Sequence, residues 1–417
     1  MSHPVTPFPI DVPEADLQNL RHRLDRTRWP APETVTDTSQ GPQLAKIQSL
    51  VEYWRTSYDW RQTEQLINSY NHSTTHIDGL DVAFLHIRSS HADATPLLMT
   101  HGWPGSVLEF RHVIAPLTNP QDHGGSVDDA FHLVIPSLPG FGFSQAPTAP
   151  GWDFTRTARA WTTLMARLGY DHWYAQGGDL GGAVTEEIAA LRPPGLQGIH
   201  LNFATFTPTP EERADATAEE AAMLDRAEMF WRTQSAYAQQ QASRPQTIGY
   251  ALADSPVGLA SWIYTLFQDN SGTPGDAEAS LPLSEIIDGI MLYWLPNAGP
   301  TSARLYWETA RSRWTSPARP DRPITVPAAF SLSGSPPLSS LDRKSLHQPR
   351  PFSHCRPGRP LRGVGGTRAL RRGSAKGRAS HARPGFMSRA AGRDGSVTKR
   401  LTASRKRSRP ASKSPHS

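Results

Sequence analysis

The chain has one cysteine, Cys355, among 417 residues, so no disulfide can form within it, and such sparing use points to a reducing compartment. Long apolar runs are missing as well. The opening stretch from Met1 to Arg23 intersperses its leucines with Asp11, Glu14, Asp16, Arg21 and Arg23, which argues against a signal peptide or a membrane span and predicts a soluble, cytoplasmic protein. Acidic residues nearly vanish from the last part of the chain. Residues 341–417 hold 21 lysines and arginines against Asp342 and Asp394, a net of +19, while the first 340 residues carry a net of −14, so the overall +5 averages two unlike materials. Histidines such as His72, His76, His86 and His91 lack metal-ligand spacing, and neither a metal nor an organic cofactor is expected.

What is present starts with Gly177-Gly178-Asp179-Leu180-Gly181-Gly182, a Gly-x-nucleophile-x-Gly elbow with aspartate at its apex. The apolar run Trp173-Tyr174-Ala175 leads in, a helix is predicted over 183–191, and Pro193-Pro194 closes it. A tight strand-to-helix turn of this kind lifts the apical side chain off a sheet edge, which makes Asp179 the candidate nucleophile. A Gly-rich turn of no catalytic use is the plain alternative.

The remaining pattern supplies a sheet for that elbow. Leu17, Leu20 and Leu24 behind Pro13 predict one amphipathic helix, and Leu44, Ile47, Val51, Trp54 and Tyr58 a second. The period then changes to two on either side of Asp78-Gly79, a hairpin signal between 74–77 and 80–87. Leu97-Leu98-Met99 and Leu133-Val134-Ile135 are short strands that run into His101-Gly102-Trp103-Pro104-Gly105-Ser106 and Gly140-Phe141-Gly142-Phe143-Ser144, with helices predicted at 107–117 and 158–168. Strand, loop and helix in repetition predict an α/β protein whose parallel sheet gathers its loops at one edge. From 207 to 313 helical pattern alone continues, including 211–241 with Met223, Ala227, Phe230 and Gln234 on one stripe, and strand pattern returns at 324–330. The expected organisation is a helical appendage over 1–70, a first part of the core over 71–206, a helical lid over 207–313, a core strand within 314–330, and a basic tail over 331–417. The composition of that tail predicts disorder.

Taken as a set, the His101–Ser106 loop, the Gly-Phe-Gly-Phe-Ser stretch, the Asp179 elbow and the N-terminal helices resemble the microsomal-type epoxide hydrolases of the α/β-hydrolase superfamily, over residues 7 to about 330. The resemblance implies an α/β-hydrolase fold with helical appendage and lid, incomplete at its C-terminal end, and an epoxide as small-molecule substrate. It implies that Asp179 is the nucleophile, that Tyr237 and Tyr306 of the lid hold the epoxide oxygen, and that the backbone N–H groups of Trp103 and Leu180 stabilise an oxyanion. Tryptophan usually follows the nucleophile in this family, and Leu180 departs from that, which bears on the pocket wall. Each tyrosine taken alone could equally be a packing residue, Trp103 a core anchor and His101 structural. A homodimer is left open.

The family's catalytic acid and Gly-Gly-His histidine have no counterpart. After Phe330 the chain runs Ser331-Leu332-Ser333-Gly334-Ser335-Pro336-Pro337 with no acid before Asp342, and of His347, His354 and His381 only His381 lies at roughly the family's distance, among neighbours that do not match. Ester formation without turnover, and a reading-frame shift near residue 331, are the corresponding expectations. A haloalkane dehalogenase would share the aspartate but not the tyrosine pair or the appended helices. A non-catalytic protein whose tail, with runs such as Arg405-Lys406-Arg407, attracts nucleic acid without specificity is the reading from another class. Sequencing of the transcript across codons 325–345 is expected to reveal a shifted frame with a Gly-Gly-His codon run downstream in another frame; an intact frame would contradict it.

Overall fold

A computed structural model describes residues 4–202, 210–273, 275–315 and 324–331. An eight-stranded sheet runs through it: β1 (Thr6–Pro7), β2 (His72–Ile77), β3 (Leu80–Ile87), β4 (Thr95–Thr100), β5 (Phe131–Pro136), β6 (Trp173–Gly177), β7 (Leu196–Leu201) and β8 (Ala328–Phe330), in the spatial order β1-β2-β3-β5-β4-β6-β7-β8. The pairs β1–β2, β2–β3 and β3–β5 are antiparallel, and β5, β4, β6, β7 and β8 are parallel. Asp78 and Gly79 have φ of +50° and +84°, which gives the β2–β3 hairpin a turn whose twist suits the strands. Both faces of the parallel strands are covered, so β5 and β6 are buried at every residue and show no alternation.

Helices α1 (Glu14–Asp25), α2 (Leu44–Thr56) and α3 (Trp60–Ser69) precede the hairpin. The sequence pattern carries the first two, through Leu17, Leu20 and Leu24, and through Ile47, Val51 and Trp54, all buried. It does not carry α3, whose buried residues Trp60, Thr63, Glu64 and Ile67 are half polar and so hide the apolar period. Nor is the N-terminal region wholly helical, because Thr6 and Pro7 pair with Thr74 and Ser73. Tyr58, expected on the second helix, lies beyond its end at Thr56. Three crossover helices, α4 (Arg111–Thr118), α5 (Phe154–Arg167) and α6 (Asp179–Leu191), connect the parallel strands. In α5 the residues Ala158, Trp161, Leu164 and Met165 form the stripe that packs inward.

After β7 come α7 (Pro210–Ala214), α8 (Ala218–Thr233), α9 (Ala236–Ser243), α10 (Pro245–Asp254), α11 (Pro256–Asp269), α12 (Leu283–Trp294) and α13 (Ala298–Thr315). The single helical stretch expected over 211–241 is thus three helices. Thr217 and Glu220 form a capping box that restarts the chain at α8, and the Ser235 hydroxyl bonds the Trp231 carbonyl where α8 gives way to α9. Its predicted stripe is not core: Ala227 and Gln234 are exposed, as are Met229 and Trp231. The returning strand is shorter than 324–330. Pro327 has no N–H to give the ladder and sits just before β8, where its carbonyl accepts from the Ile199 N–H at 2.9 Å. Apart from Ser331, the predicted tail lies outside the described residues.

A buried carboxylate ties appendage, core and α12 together. Asp288 of α12 accepts the Tyr58 hydroxyl at 2.7 Å and the Thr63 hydroxyl, and its second oxygen pairs with Arg111 of α4 at 2.7 Å. Arg111 and Asp288 side chains are only 12% and 7% exposed, so removing the acid leaves a guanidinium buried without its partner. We expect Asp288→Ala to lower unfolding stability by about 3–5 kcal/mol in urea titration. A loss below about 1 kcal/mol, the size typical of a surface pair, would contradict this.

Candidate active site

The loops after β4, β5 and β6 end at the same sheet edge, as parallel strands with crossovers require. At the end of β6, Gly178 is extended and Asp179 turns back with φ of +52°, a left-handed conformation that a non-glycine residue adopts only when its surroundings hold it there. Those surroundings leave no slack. A Cβ on Gly181 would stand 2.0 Å from the Thr100 carbonyl oxygen at the end of β4, and one on Gly102 would stand 2.4 Å from Asp179 Oδ1.

The Trp103 N–H donates to Asp179 Oδ1 at 2.8 Å, and the Leu180 N–H also bonds this carboxylate. Burial raises the affinity of Asp179 for a proton above that of an ordinary carboxyl, and the two N–H groups pull the other way. Both lie at the start of α6 or facing it, where the helix end favours negative charge.

Two lid tyrosines close over this group. Tyr237 of α9 stacks on Trp103 with ring centroids 5.0 Å apart and planes 12° apart, and Tyr306 of α13 meets Trp103 edge-on at 5.9 Å. Tyr237 and Tyr306 are 6.1 Å apart, also edge-on, and their hydroxyls hydrogen-bond one another. Burial, then the Asp179 charge, pushes both phenols well above the ordinary tyrosine range. Phenols that hold their protons therefore face the Asp179 carboxyl beside the Trp103 ring. Such a set can attack carbon and deliver a proton.

All five residues singled out in the sequence, Asp179, Tyr237, Tyr306, Trp103 and Leu180, are thus brought together. His101 joins two loops instead: its Nδ1 bonds the Gly102 carbonyl at 2.9 Å and its Nε2 accepts the Leu138 N–H at 3.1 Å. Burial drives this imidazole down to about 4, so it stays neutral. Asp342, His347, His354 and His381 lie outside the described residues. Sequence reasoning missed Glu109, whose carboxyl accepts the Gly102 N–H at 3.4 Å, and Tyr293, whose hydroxyl donates to the Gly105 carbonyl at 2.8 Å. Tyr293 gave no signal that sets it apart from the apolar residues around it, and Glu109 carried none beyond an acid in an apolar turn.

Comparison with known proteins agrees with this fold. The family described as "Epoxide hydrolase N terminus" matches residues 5–110, and the "alpha/beta hydrolase fold" matches residues 95–247. A putative epoxide hydrolase of Stigmatella aurantiaca is 52% identical over 322 residues, covering 77% of this chain and 73% of its own. Epoxide hydrolase 1 of Oryctolagus cuniculus is 33% identical over 352 residues, covering 78% and 77%. The juvenile hormone epoxide hydrolase of the silkworm Bombyx mori has a similar structure, with a TM-score of 0.73 and 30% identity over 80% of this chain and 83% of that one. With a parallel-sheet elbow, a lid of helices and relatives of this identity and coverage, the chain belongs to the epoxide hydrolase family.

Proposed function

We propose that Asp179 opens an epoxide by attacking one of its ring carbons, forming an aspartyl ester while the C–O bond breaks and the released oxygen takes a proton from Tyr237 or Tyr306. Water then adds to the ester carbonyl and gives one proton back to the tyrosinate, and negative charge returns to the former carboxylate oxygen facing the Trp103 and Leu180 N–H groups. The ester C–O bond breaks as the leaving alkoxide takes the remaining proton of the added water, releasing a vicinal diol and restoring the Asp179 carboxylate. The observation that carries this reading is the 2.8 Å bond from the Trp103 N–H to Asp179 Oδ1, because it holds one carboxylate oxygen and leaves the other to attack. The tyrosine pair supports an epoxide over a halide, since a departing halide needs donors but no proton.

Hydrolysis of the ester asks for a base on water, and His101 is committed to two backbone partners. The family's acid and histidine positions have no match in the sequence, so the ester is expected to accumulate. No helix among the described residues is long and apolar enough to cross a membrane.

Mixing the full chain with styrene oxide and quenching for intact mass is expected to give an adduct of one substrate mass per chain, in a burst with little diol. Asp179→Asn is expected to give none; an adduct of the same yield on that variant would refute the assignment. Tyr237→Phe and Tyr306→Phe are each expected to slow adduct formation by about 100-fold, the usual scale for a positioned acid. Because the Asp179 carboxyl binds its proton more tightly than usual, the rate is expected to fall in mild acid, at a higher pH than an exposed carboxylate would show; a rate independent of pH between about 4 and 7 would contradict this.

A further inference from the structure

A second carboxyl leans on the same loop as the nucleophile. Glu109, in the turn Val107–Phe110 that follows the loop, folds back so that Oε2 accepts the Gly102 N–H at 3.4 Å, and a Cβ on Gly105 would meet that oxygen at 2.0 Å. Asp179 takes the next N–H along, that of Trp103, at 2.8 Å. Two carboxyls are therefore held by adjacent amides of one short loop.

Few charges surround the second one. Tyr293 of α12 faces it while donating to the Gly105 carbonyl at 2.8 Å, and Asp179 faces it from the start of α6. Arg111, two residues further on, is committed to Asp288 at 2.7 Å. Burial, opposed by the Gly102 N–H and reinforced by the Asp179 charge, pushes the Glu109 carboxyl up to about 8. It is therefore mostly neutral at pH 7 and mostly ionised at pH 9.

Building on the aspartyl-ester reading, we propose that Glu109 is a positioning residue for Asp179: it steadies the loop that presents the Trp103 N–H, and its own charge alters how readily negative charge leaves or returns to the Asp179 carboxyl. An added negative charge nearby raises the energy of the Asp179 carboxylate. Charge leaves that group when the ester forms, so ionised Glu109 speeds this step. Charge comes back when water adds to the ester, so the same ionisation slows that one. No covalent change occurs at Glu109 itself; it gains or loses a proton to solvent. For two like charges that interact through a partly screened interior, about three- to tenfold in rate is the expected size.

The test is quenched-flow formation of the styrene oxide adduct by the full chain at pH 7 and pH 9. The parent is expected to be about three- to tenfold faster at pH 9. Glu109→Gln, which keeps an acceptor for Gly102 and cannot ionise, is expected to show a flat profile across that interval, and Glu109→Ala to be slower at both pH values. A parent profile that is flat or falls overturns the proposal whether or not the variants fold, and so does a Glu109→Gln profile that rises in parallel with the parent. An adduct that forms in the parent but with either of those profiles leaves the aspartyl ester standing without Glu109. No adduct in the parent removes both.

Discussion

Everything in the site depends on one carboxylate being held at a backbone turn that a side chain resists. Asp179 sits at φ of +52°, and the left-handed conformation carries a cost of order 1–3 kcal/mol that neighbouring structure must offset. The offset comes from close contact: Gly181 against the Thr100 carbonyl, Gly102 against the carboxylate, and the Trp103 N–H on Oδ1. Because strands β4 and β6 are neighbours in register, with Thr100 opposite Gly177, the loop that donates and the elbow that accepts are fixed by the same ladder. The sheet thus sets the geometry of the chemistry, and a larger residue at either glycine would move both.

The lid supplies the complementary charge state. Desolvation acts on Asp179 and on the two tyrosines in opposite functional senses: it makes the carboxylate a less comfortable anion and the phenols more reluctant to lose their protons. An unstable anion beside protonated acids is the arrangement that ring opening of an epoxide asks for. The lid's own placement relies on the Asp288 cluster, through which Tyr58 from the link between α2 and α3, Thr63 of α3 and Arg111 from the core fix α12. The appended helices, remote from the chemistry, therefore help decide where Tyr293 sits.

Much of this was legible in the sequence, for identifiable reasons. The parallel strands β4, β5 and β6 could be read because they are short apolar runs that lead into glycine-bearing loops, and the hairpin because Asp78-Gly79 suits its turn. The elbow was legible because close backbone approach leaves only glycine around Asp179. Helix α3 was not, since Thr63 and Glu64 are buried through hydrogen bonds and break the apolar period. The breaks within 211–241 depend on side-chain caps that compete weakly with helix propensity, and Pro327 displaced the start of β8. Tyr237 and Tyr306 could be named only through family resemblance, because no local pattern separates an acid-donating tyrosine from a packed one. Glu109 escaped notice because its significance comes from folding back onto a loop four to seven residues before it, which periodicity does not reveal.

The account stands on a covalent bond at a single position. Proteolysis of the quenched epoxide adduct followed by fragmentation of the peptide spanning Trp173–Leu191 measures this directly. The account predicts that the added mass lies on Asp179 and nowhere else in that segment; an adduct on any other residue, or an Asp179 peptide that stays unmodified while the epoxide is consumed, would contradict it.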